Sequence, residues 1–322
     1  MTMLLSIQTR MPALLPIDPY GNRIVVMATE LLYPEYLPVR PEGFTPTLDI
    51  PAFEAEEPGL RTDTELPDIF SQKTILKNVT PRIWTEIQGL QLSQLTPAGL
   101  DQVALLAARR RDQDFTDIGP ERQLAIARHF GPLRKHPTMG YPKGTGPEFQ
   151  VVYADEKVGN LRSLLGPRTN YDLWHIDQTF TPNTPSLTVF WVLEIPASGG
   201  GDTAFTSLTA AYNALSPAFR EGLHRLKLLH TSASVGEVVR LGQERALKEA
   251  VKTEHPLVIS HPASCMITSD HWTFSCRVSW GKGTVIAWDQ RTVAHSAIPD
   301  FKEGERRHMV RINPYGSQPR PL

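Results

Sequence analysis

The stretch Gly283-Thr284-Val285-Ile286-Ala287-Trp288-Asp289-Gln290-Arg291-Thr292-Val293-Ala294-His295-Ser296 contains two short apolar runs separated by a polar segment. Its first run is rich in β-branched and aromatic residues, which favour strands, so Thr284–Trp288 is predicted to be a strand. The chain is then predicted to turn through Gln290 and Arg291 and to continue to Ser296. This stretch therefore predicts a strand and a turn, with His295 near the far end of a β-rich region.

Similar short runs occupy most of the chain beyond Gly140. They are interrupted by two segments with helical periodicity, 208–226 and 235–251. Short strands separated by glycine and proline turns are typical of an antiparallel sandwich or barrel, and less so of a parallel α/β sheet. We therefore predict a mostly β fold with flanking helices. The other predicted strands are Phe149–Tyr153, Leu187–Leu193, Leu257–Ser260, Phe274–Trp280 and His308–Ile312.

The part of the chain before Gly140 has a different character. Residues 1–70 hold 10 of the 28 prolines and lack clear periodicity, so they are predicted to form an extended arm on a single domain of residues 71–322. Thr96 is a good N-cap and Pro97 a good first helical residue, which predicts a helix from Pro97. A second helix is predicted from about Pro120 to Phe130.

Composition excludes several classes of protein. The 33 Lys and Arg nearly balance the 34 Asp and Glu, so neither nucleic acid nor a membrane surface is an expected partner. The apolar runs are too short for a bilayer span, and no phosphate-binding loop or G-x-S-x-G motif is present. Cys265 and Cys276 are too few for a disulfide framework, which predicts a cytoplasmic protein. A small-molecule substrate is expected, and the sequence leaves a homo-oligomer open.

The histidines indicate where chemistry takes place. In Trp174-His175-Ile176-Asp177, alternation along a strand would place His175 and Asp177 on one face. An imidazole and a carboxylate, joined by a distant histidine, form the facial arrangement that holds Fe(II) and leaves positions open. Chance alone produces such a pair in a chain with ten histidines. The spacing therefore carries weight only in combination with other motifs.

Four motifs occur in order along the chain and together resemble one family. They are Trp174-His175-Ile176-Asp177-Gln178-Thr179-Phe180, Gly200-Gly201-Asp202-Thr203, Trp288-Asp289-Gln290-Arg291 with His295, and Arg306-Arg307-His308-Met309-Val310-Arg311. The chain resembles the taurine/α-ketoglutarate dioxygenases, particularly their fungal sulfonate-dioxygenase-like branch, from about Tyr33 to Ile312.

This resemblance implies a double-stranded β-helix, or jelly roll, that holds Fe(II) through His175, Asp177 and His295. It further implies that Thr203 and Arg307 bind the distal carboxylate of the co-substrate 2-oxoglutarate. Arg311 falls on the family's second arginine, near the metal and the substrate anion. The implied reaction is an O2-dependent oxidation of an aliphatic C–H bond that releases succinate and CO2.

The expected substrate is a small organic anion, either a sulfonate or an amino-acid-like compound. Phe130-Gly131-Pro132-Leu133-Arg134-Lys135-His136-Pro137 also resembles the family, which makes His136 a candidate anion contact. Met139 and Tyr171 stand where the taurine enzyme has a tyrosine and an asparagine, so taurine itself is expected to be a poor substrate. Met139, Tyr171 and Phe180 are predicted to form the apolar wall of the pocket.

Three alternatives remain beside this hypothesis. The first alternative is a fungal secondary-metabolism oxygenase that cyclises or desaturates an amino acid. The second is a zinc hydrolase, and the third is a non-catalytic metal-binding β-helix protein. The last two do not need the arginine and threonine that anchor a keto acid. Two stretches, Ala107–Gln113 and Cys265–Asp270, are also shorter than in the family, which predicts either genuine deletions or missing chain.

Overall fold

A computed structural model describes residues 31–39, 51–70, 74–80, 83–109, 113–114, 119–136, 140–155, 174–233, 250–262, 275–302 and 304–322. The chain divides into two compact units, Met1–Pro34 and Glu35–Leu322. The candidate site lies entirely in the second unit. The predicted arm over residues 1–70 stays a prediction.

The described residues form mainly short strands. Helices are α1 (Pro97–Arg109), α2 (Pro120–His129), α3 (Leu208–Asn213) and α4 (Pro217–Leu223), with 3-10 turns at Pro34–Tyr36, Pro58–Leu60 and Leu92–Gln94. The strands are β1 (Pro38–Val39), β2 (Ile75–Asn78), β3 (Thr85–Gln88), β4 (Gln113–Asp114), β5 (Tyr141–Pro142), β6 (Phe149–Ala154), β7 (Leu187–Glu194), β8 (Thr203–Ser207), β9 (Lys227–Thr231), β10 (Lys252–Pro256), β11 (Ile259–Ser260), β12 (Ser275–Val278), β13 (Thr284–Asp289), β14 (Val293–Ala297), β15 (Arg307–Ile312) and β16 (Arg320–Pro321).

Two antiparallel sheets carry the site. A five-stranded sheet has the order β4-β13-β7-β15-β6, and a three-stranded sheet has the order β12-β8-β14. Alternate residues of a strand point to one face, so Phe190 of β7 and Trp288 of β13 reach the same apolar cluster as Phe205 of β8. Burying a large apolar side chain stabilises a fold by about 1.5–3 kcal/mol. This shared cluster therefore holds strands of both sheets together and supports the site.

Most predicted elements are confirmed where the strand or helix signal was strong. The strands predicted around Phe149, Leu187, Thr284 and His308 are present as β6, β7, β13 and β15. Helix α1 begins at Pro97 as predicted, with the Gly99 amide donating to Thr96 Oγ1 at 3.1 Å. Helix α2 ends at His129. The predicted mostly β, antiparallel fold with flanking helices is confirmed.

Three predicted elements differ from the structure. The helical segment 208–226 is broken into α3 and α4, because Pro217 disfavours a helical conformation for Ser216, which instead caps α4 through its Oγ and the Phe219 amide. Strand β9 then begins at Lys227. The strand predicted at 257–260 is reduced to Ile259–Ser260, while the preceding polar segment forms β10. The strand predicted at 274–280 spans Ser275–Val278, and Phe274 lies outside the described residues.

Other predictions fall on residues outside the described ranges. These are most of the predicted helix 235–251, part of Ala107–Gln113, all of Cys265–Asp270, and Met139 and Tyr171. Within the described ranges, no helix has the length and hydrophobicity needed to cross a membrane. The cytoplasmic location and the homo-oligomer stay predictions.

Candidate active site

Two histidines distant in sequence are joined by backbone hydrogen bonds. The His175 amide donates to the His295 carbonyl at 3.0 Å, and the His295 amide donates to the His175 carbonyl at 3.0 Å. Directly opposed residues of an antiparallel pair project their side chains to the same side. The two imidazole ring centroids accordingly lie 4.3 Å apart. Strand β14 places His295, and His175 joins its free edge.

Asp177 reaches the histidines from a turn. The prediction that Trp174–Asp177 forms a regular strand is wrong, because only His175 makes a β-bridge and residues 177–180 form a turn. The physical reason is Gln178, whose left-handed φ of 48° turns the chain directly after Asp177. Asp177 Oδ1 nevertheless lies 3.6 Å from His175 Nε2, and Oδ2 lies 3.9 Å from His295 Nε2.

The three side chains form a compact cluster that is open on one side. One potential ligand atom from each of His175, Asp177 and His295 lies within 4.8 Å of the other two. The side chains of Asp177 and His295 are only 6% and 7% exposed, whereas that of His175 is 49% exposed. Two imidazoles and a carboxylate suit a divalent transition metal such as Fe(II). Within the described part of the chain, no other histidine, cysteine or acidic cluster of this kind is present.

Two neighbours orient the Asp177 carboxylate. Its Oδ2 accepts a hydrogen bond from Arg311 Nη1 at 2.7 Å and another from Gln290 Nε2 at 2.9 Å. Gln290 Nε2 also donates to Thr188 Oγ1 at 2.7 Å, and Arg311 Nε donates to Gln150 Oε1 at 2.6 Å. Burial alone would raise the pKa of Asp177, but Arg311 and the two histidines hold it well below its usual range. The carboxylate is therefore ionised and held in one orientation.

Packing also fixes the ring of His295. The Trp288 ring meets it edge to face at a centroid distance of 5.2 Å, and the Phe205 ring is stacked at 6.1 Å. Both aromatic side chains belong to the apolar cluster between the sheets and are buried. The buried side of the site is thus lined by apolar rings, while the His175 side is exposed.

Arg307 supplies a second feature of the site, a buried cation. It is 9% exposed, and its Nε donates to the Gly201 carbonyl at 3.0 Å. Gly201 has a φ of 71°, and a Cβ at this position would lie 3.1 Å from Arg307 Nε, so glycine permits the close approach. Within the described residues Arg307 forms no ion pair, because the nearby Asp202 carboxylate is engaged by Arg277 at 2.6 Å.

The chemistry of Arg307 is that of an anion-binding group. Burial lowers its pKa to about 10, an effect that the charge of Asp202 opposes and that of Arg311 reinforces. The guanidinium therefore stays protonated at neutral pH, and within the described residues no carboxylate forms an ion pair with it. Thr203 follows Asp202 at the start of β8 and is itself buried. An arginine of this kind can accept a carboxylate from a ligand.

The predicted substrate residues are only partly described. His136 is buried, and its amide donates to the Pro147 carbonyl at 2.7 Å. Phe180 is buried at the end of the turn that begins at Asp177, and its carbonyl accepts from Thr253 Oγ1 at 2.7 Å. Met139 and Tyr171 lie outside the described residues. Their predicted roles in the pocket stay predictions.

Sequence reasoning missed one contact and one burial near the site. Gln290, which is fully buried, lies inside the Trp288–Arg291 motif but was not expected to contact Asp177. Arg134 lies inside the Phe130–Pro137 motif and is 2% exposed, although arginine is seldom buried without a partner. The motifs signalled both positions, but their contacts depend on segments far away in sequence.

Comparison with known proteins places these features in a family. The family model described as "Taurine catabolism dioxygenase TauD, TfdA family" matches residues 76–273 and 265–313. The chain is 34% identical to the "Alpha-ketoglutarate-dependent dioxygenase cnsM" of Penicillium expansum, with 92% of each chain covered. It is 30% identical to the "Alpha-ketoglutarate-dependent sulfonate dioxygenase" of Saccharomyces cerevisiae, with 89% of this chain and 78% of the relative covered.

A solved structure supports the same assignment at the level of the fold. The "Crystal Structure of a Putative Alpha-ketoglutarate-dependent Taurine Dioxygenase from Burkholderia xenovorans" superposes with a TM-score of 0.59 at 23% identity, over 77% of this chain and 94% of that chain. The alignment with the Penicillium protein spans 334 positions, more than the 322 residues of the chain, so that relative has residues without a counterpart here. The chain belongs to the TauD/TfdA dioxygenase family.

Proposed function

We propose that the protein is an Fe(II)- and 2-oxoglutarate-dependent oxygenase that oxidises an aliphatic C–H bond of a small organic anion. The observation that carries this proposal is the convergence of His175, Asp177 and His295 on one point, with ligand atoms within 4.8 Å of one another. The buried, unbalanced Arg307 supports the need for an anionic co-substrate. The similarity to alpha-ketoglutarate-dependent dioxygenases of two fungi supports the same reaction class.

In this proposal the two antiparallel sheets form a double-stranded β-helix, and each site residue has one role. His175, Asp177 and His295 hold Fe(II). Arg307, with Thr203, binds the distal carboxylate of 2-oxoglutarate. The similarity in fold to the Burkholderia protein supports the jelly-roll core. The two donor sets fit these groups, since imidazole and carboxylate suit iron and a buried guanidinium suits a carboxylate.

The protein's own contribution is orientation and exclusion of water. Bound Fe(II), 2-oxoglutarate and O2 supply the oxidising chemistry, in which 2-oxoglutarate becomes succinate and CO2. Gln290 and Arg311 both donate to Asp177 Oδ2, and these two hydrogen bonds fix the direction of the other carboxylate oxygen, Oδ1. Trp288 and Phe205 keep water from the buried side of His295. The exposed side of His175 leaves space for a substrate.

The proposed substrate class is a sulfonate or an amino-acid-like anion. The similarity to the yeast sulfonate dioxygenase supports the sulfonate. His136 is proposed to contact the anion, and Met139, Tyr171 and Phe180 to line the pocket. A zinc hydrolase or a non-catalytic metal protein is disfavoured, because neither class requires Arg307 as an anchor for a keto acid.

Succinate formation tests the proposal directly. The purified protein is supplied with O2, 2-oxoglutarate and either Fe(II) or Zn(II), and is screened against alkanesulfonates and amino acids. We expect succinate with Fe(II) only, and we expect His175→Ala to abolish it. His224→Ala is the matched control. His224 follows the last residue of α4 and contacts the Tyr212 hydroxyl, so we expect its replacement to leave turnover unchanged. Equal succinate formation by His175→Ala and the wild type would refute the proposal.

A further inference from the structure

A second arginine lies beside the candidate site without an assigned role. The segment Pro132–Arg134 pairs with the continuation of β15, with a bridge between Leu133 and Pro314. The Arg134 amide donates to the Asn313 carbonyl at 3.0 Å, and the Tyr315 amide donates to the Pro132 carbonyl at 2.9 Å. The two segments run antiparallel, so Arg134 lies directly opposite Asn313.

Glycine makes this pairing possible. Gly131 has a φ of 140°, and a Cβ there would lie only 2.6 Å from the Tyr315 carbonyl oxygen. Real Cβ atoms do not approach backbone oxygen this closely, so only glycine fits. The position of Arg134 against the continuation of β15 is therefore built into the backbone.

The pairing places Arg134 on the face of the candidate site. Opposed residues of an antiparallel pair share a face, and so do residues two apart along a strand. Arg134 and Asn313 thus share a face with Arg311 and Tyr315, and Arg311 contacts Asp177 at 2.7 Å. Charge effects agree with this placement. Burial lowers the pKa of Arg134 to about 10, Tyr315 and Asp177 counteract this, and Arg311 adds to it.

Several buried polar atoms on this face lack hydrogen-bond partners within the described residues. Arg134 is 2% exposed, and neither its Nε nor its Nη2 has a hydrogen-bond partner among the described residues. Asn313 Nδ2 is also buried without a hydrogen bond in the same part of the structure, and the buried Tyr315 hydroxyl faces the Arg134 guanidinium. Buried polar groups are nearly always hydrogen-bonded, and a buried charge without a partner is costly. Several unsatisfied donors close together indicate a site for an acceptor-rich ligand.

Charge balance points to a negative ligand in addition to 2-oxoglutarate. Three arginines, Arg134, Arg307 and Arg311, surround this region, and among the three only Arg311 forms an ion pair with Asp177 within the described residues. The Asp202 carboxylate pairs with Arg277. In the proposed function a 2-oxoglutarate carboxylate would balance Arg307. The charge of Arg134 would remain without a counterion.

We propose that Arg134, Asn313 and Tyr315 form a second anion subsite, which binds a tetrahedral oxyanion such as a sulfonate or sulfate group. Three separate donor groups match the three terminal oxygens of a sulfonate, whereas a carboxylate has two oxygens that one guanidinium can satisfy. That this oxyanion belongs to the substrate rests on the proposed function. Binding of the oxyanion itself needs neither iron nor 2-oxoglutarate.

The subsite is tested on the metal-free full-length protein. Binding of trifluoromethanesulfonate is measured by fluorine NMR at constant ionic strength, with trifluoroacetate as the carboxylate probe. We expect the sulfonate to bind more tightly, and Arg134→Gln to weaken its binding about tenfold or more, because a charge-assisted hydrogen bond is lost. Arg128→Gln is the matched control, since Arg128 is exposed on the preceding helix and should leave binding unchanged.

Further variants keep the test independent of folding and of the oxygenase reaction. Asn313→Ala and Tyr315→Phe each remove a donor and are also expected to weaken binding. Circular dichroism checks each variant, and these two provide the test if Arg134→Gln does not fold. Sulfonate binding that is unchanged in the folded variants, or tighter binding of trifluoroacetate, would overturn the proposal. Failure of the oxygenase assay with intact sulfonate binding would instead refute only the proposed function.

Discussion

Replacing Arg307 with Met should remove the binding site for the distal carboxylate of 2-oxoglutarate. Met is unbranched and fills similar space, while the guanidinium of Arg307, a residue that is 9% exposed, is lost. Removing one partner of a desolvated charge pair costs about 2–4 kcal/mol of binding free energy. At 1.4 kcal/mol for each factor of ten, the dissociation constant should rise roughly 30- to 700-fold. Arg311 cannot take over, because it already contacts Asp177 and Gln150.

Isothermal titration calorimetry measures this effect without turnover. The titrant is N-oxalylglycine, which resembles 2-oxoglutarate, and the protein is loaded with Mn(II). Arg306→Met is the matched control, because Arg306 precedes Arg307 and lies 3.8 Å from Glu194. We expect the control to change affinity less than about twofold, because residues adjacent along an extended chain point to opposite faces and Arg306 faces Glu194. Equal affinity of Arg307→Met and the wild type would show that the carboxylate binds elsewhere.

Three further changes test the site and its support. His175→Ala should weaken Mn(II) binding measured by calorimetry while leaving the urea midpoint of the metal-free protein unchanged, because the side chain is 49% exposed; loss of folding would contradict a purely functional role. Gln290→Leu should weaken Mn(II) affinity about 10- to 100-fold, since it orients Asp177; unchanged affinity would contradict that role. Arg291→Met should lower the free energy of unfolding in urea by about 3–5 kcal/mol, because Asp289 and Glu57 lose their buried partner. The fold lowers the pKa of Asp289 below its ordinary value of 3.8, so the contribution of this carboxylate to stability is complete above pH 3.8 and is lost as the pH falls further. Arg291→Met should therefore lose less stability on acidification than the wild type. Identical pH dependence of the unfolding free energy in the two proteins would refute the coupling of Arg291 to Asp289.

Local sequence signals predicted the regular elements well. The Thr96–Pro97 pair marked the start of α1, and the β-branched run from Thr284 marked β13. Both signals depend on short-range preferences, which the sequence shows directly. The prediction of one helix over 208–226 was less accurate, because it followed the apolar periodicity and gave too little weight to Pro217. The prediction of a strand at 257–260 was less accurate because the longer strand, β10, precedes it and is polar. Strand β10 is formed through its antiparallel pairing with β9, which a local apolar pattern does not reveal.

The candidate ligands were predictable, but their supports were not. The ordered motifs pointed to His175, Asp177 and His295 through a family resemblance, and these residues converge in the structure. The contact of Gln290 and the burial of Arg134 were missed, because each depends on a neighbour more than a hundred residues away, Asp177 for Gln290 and Asn313 for Arg134. A hydrogen bond of this kind leaves no local spacing in the sequence.

The sequence by itself determined the class of fold, the order of the motifs and the residue types available for a metal and a carboxylate. Those properties follow from side-chain chemistry and from periods of two and 3.6 residues. Only the tertiary structure decided that Asp177 approaches from a turn, that Gln290 and Arg311 hold it, and that Arg134 is buried opposite Asn313. The physical reason is that burial and partnership are properties of the packed sheets, in which segments distant along the chain exclude water from one another's polar groups.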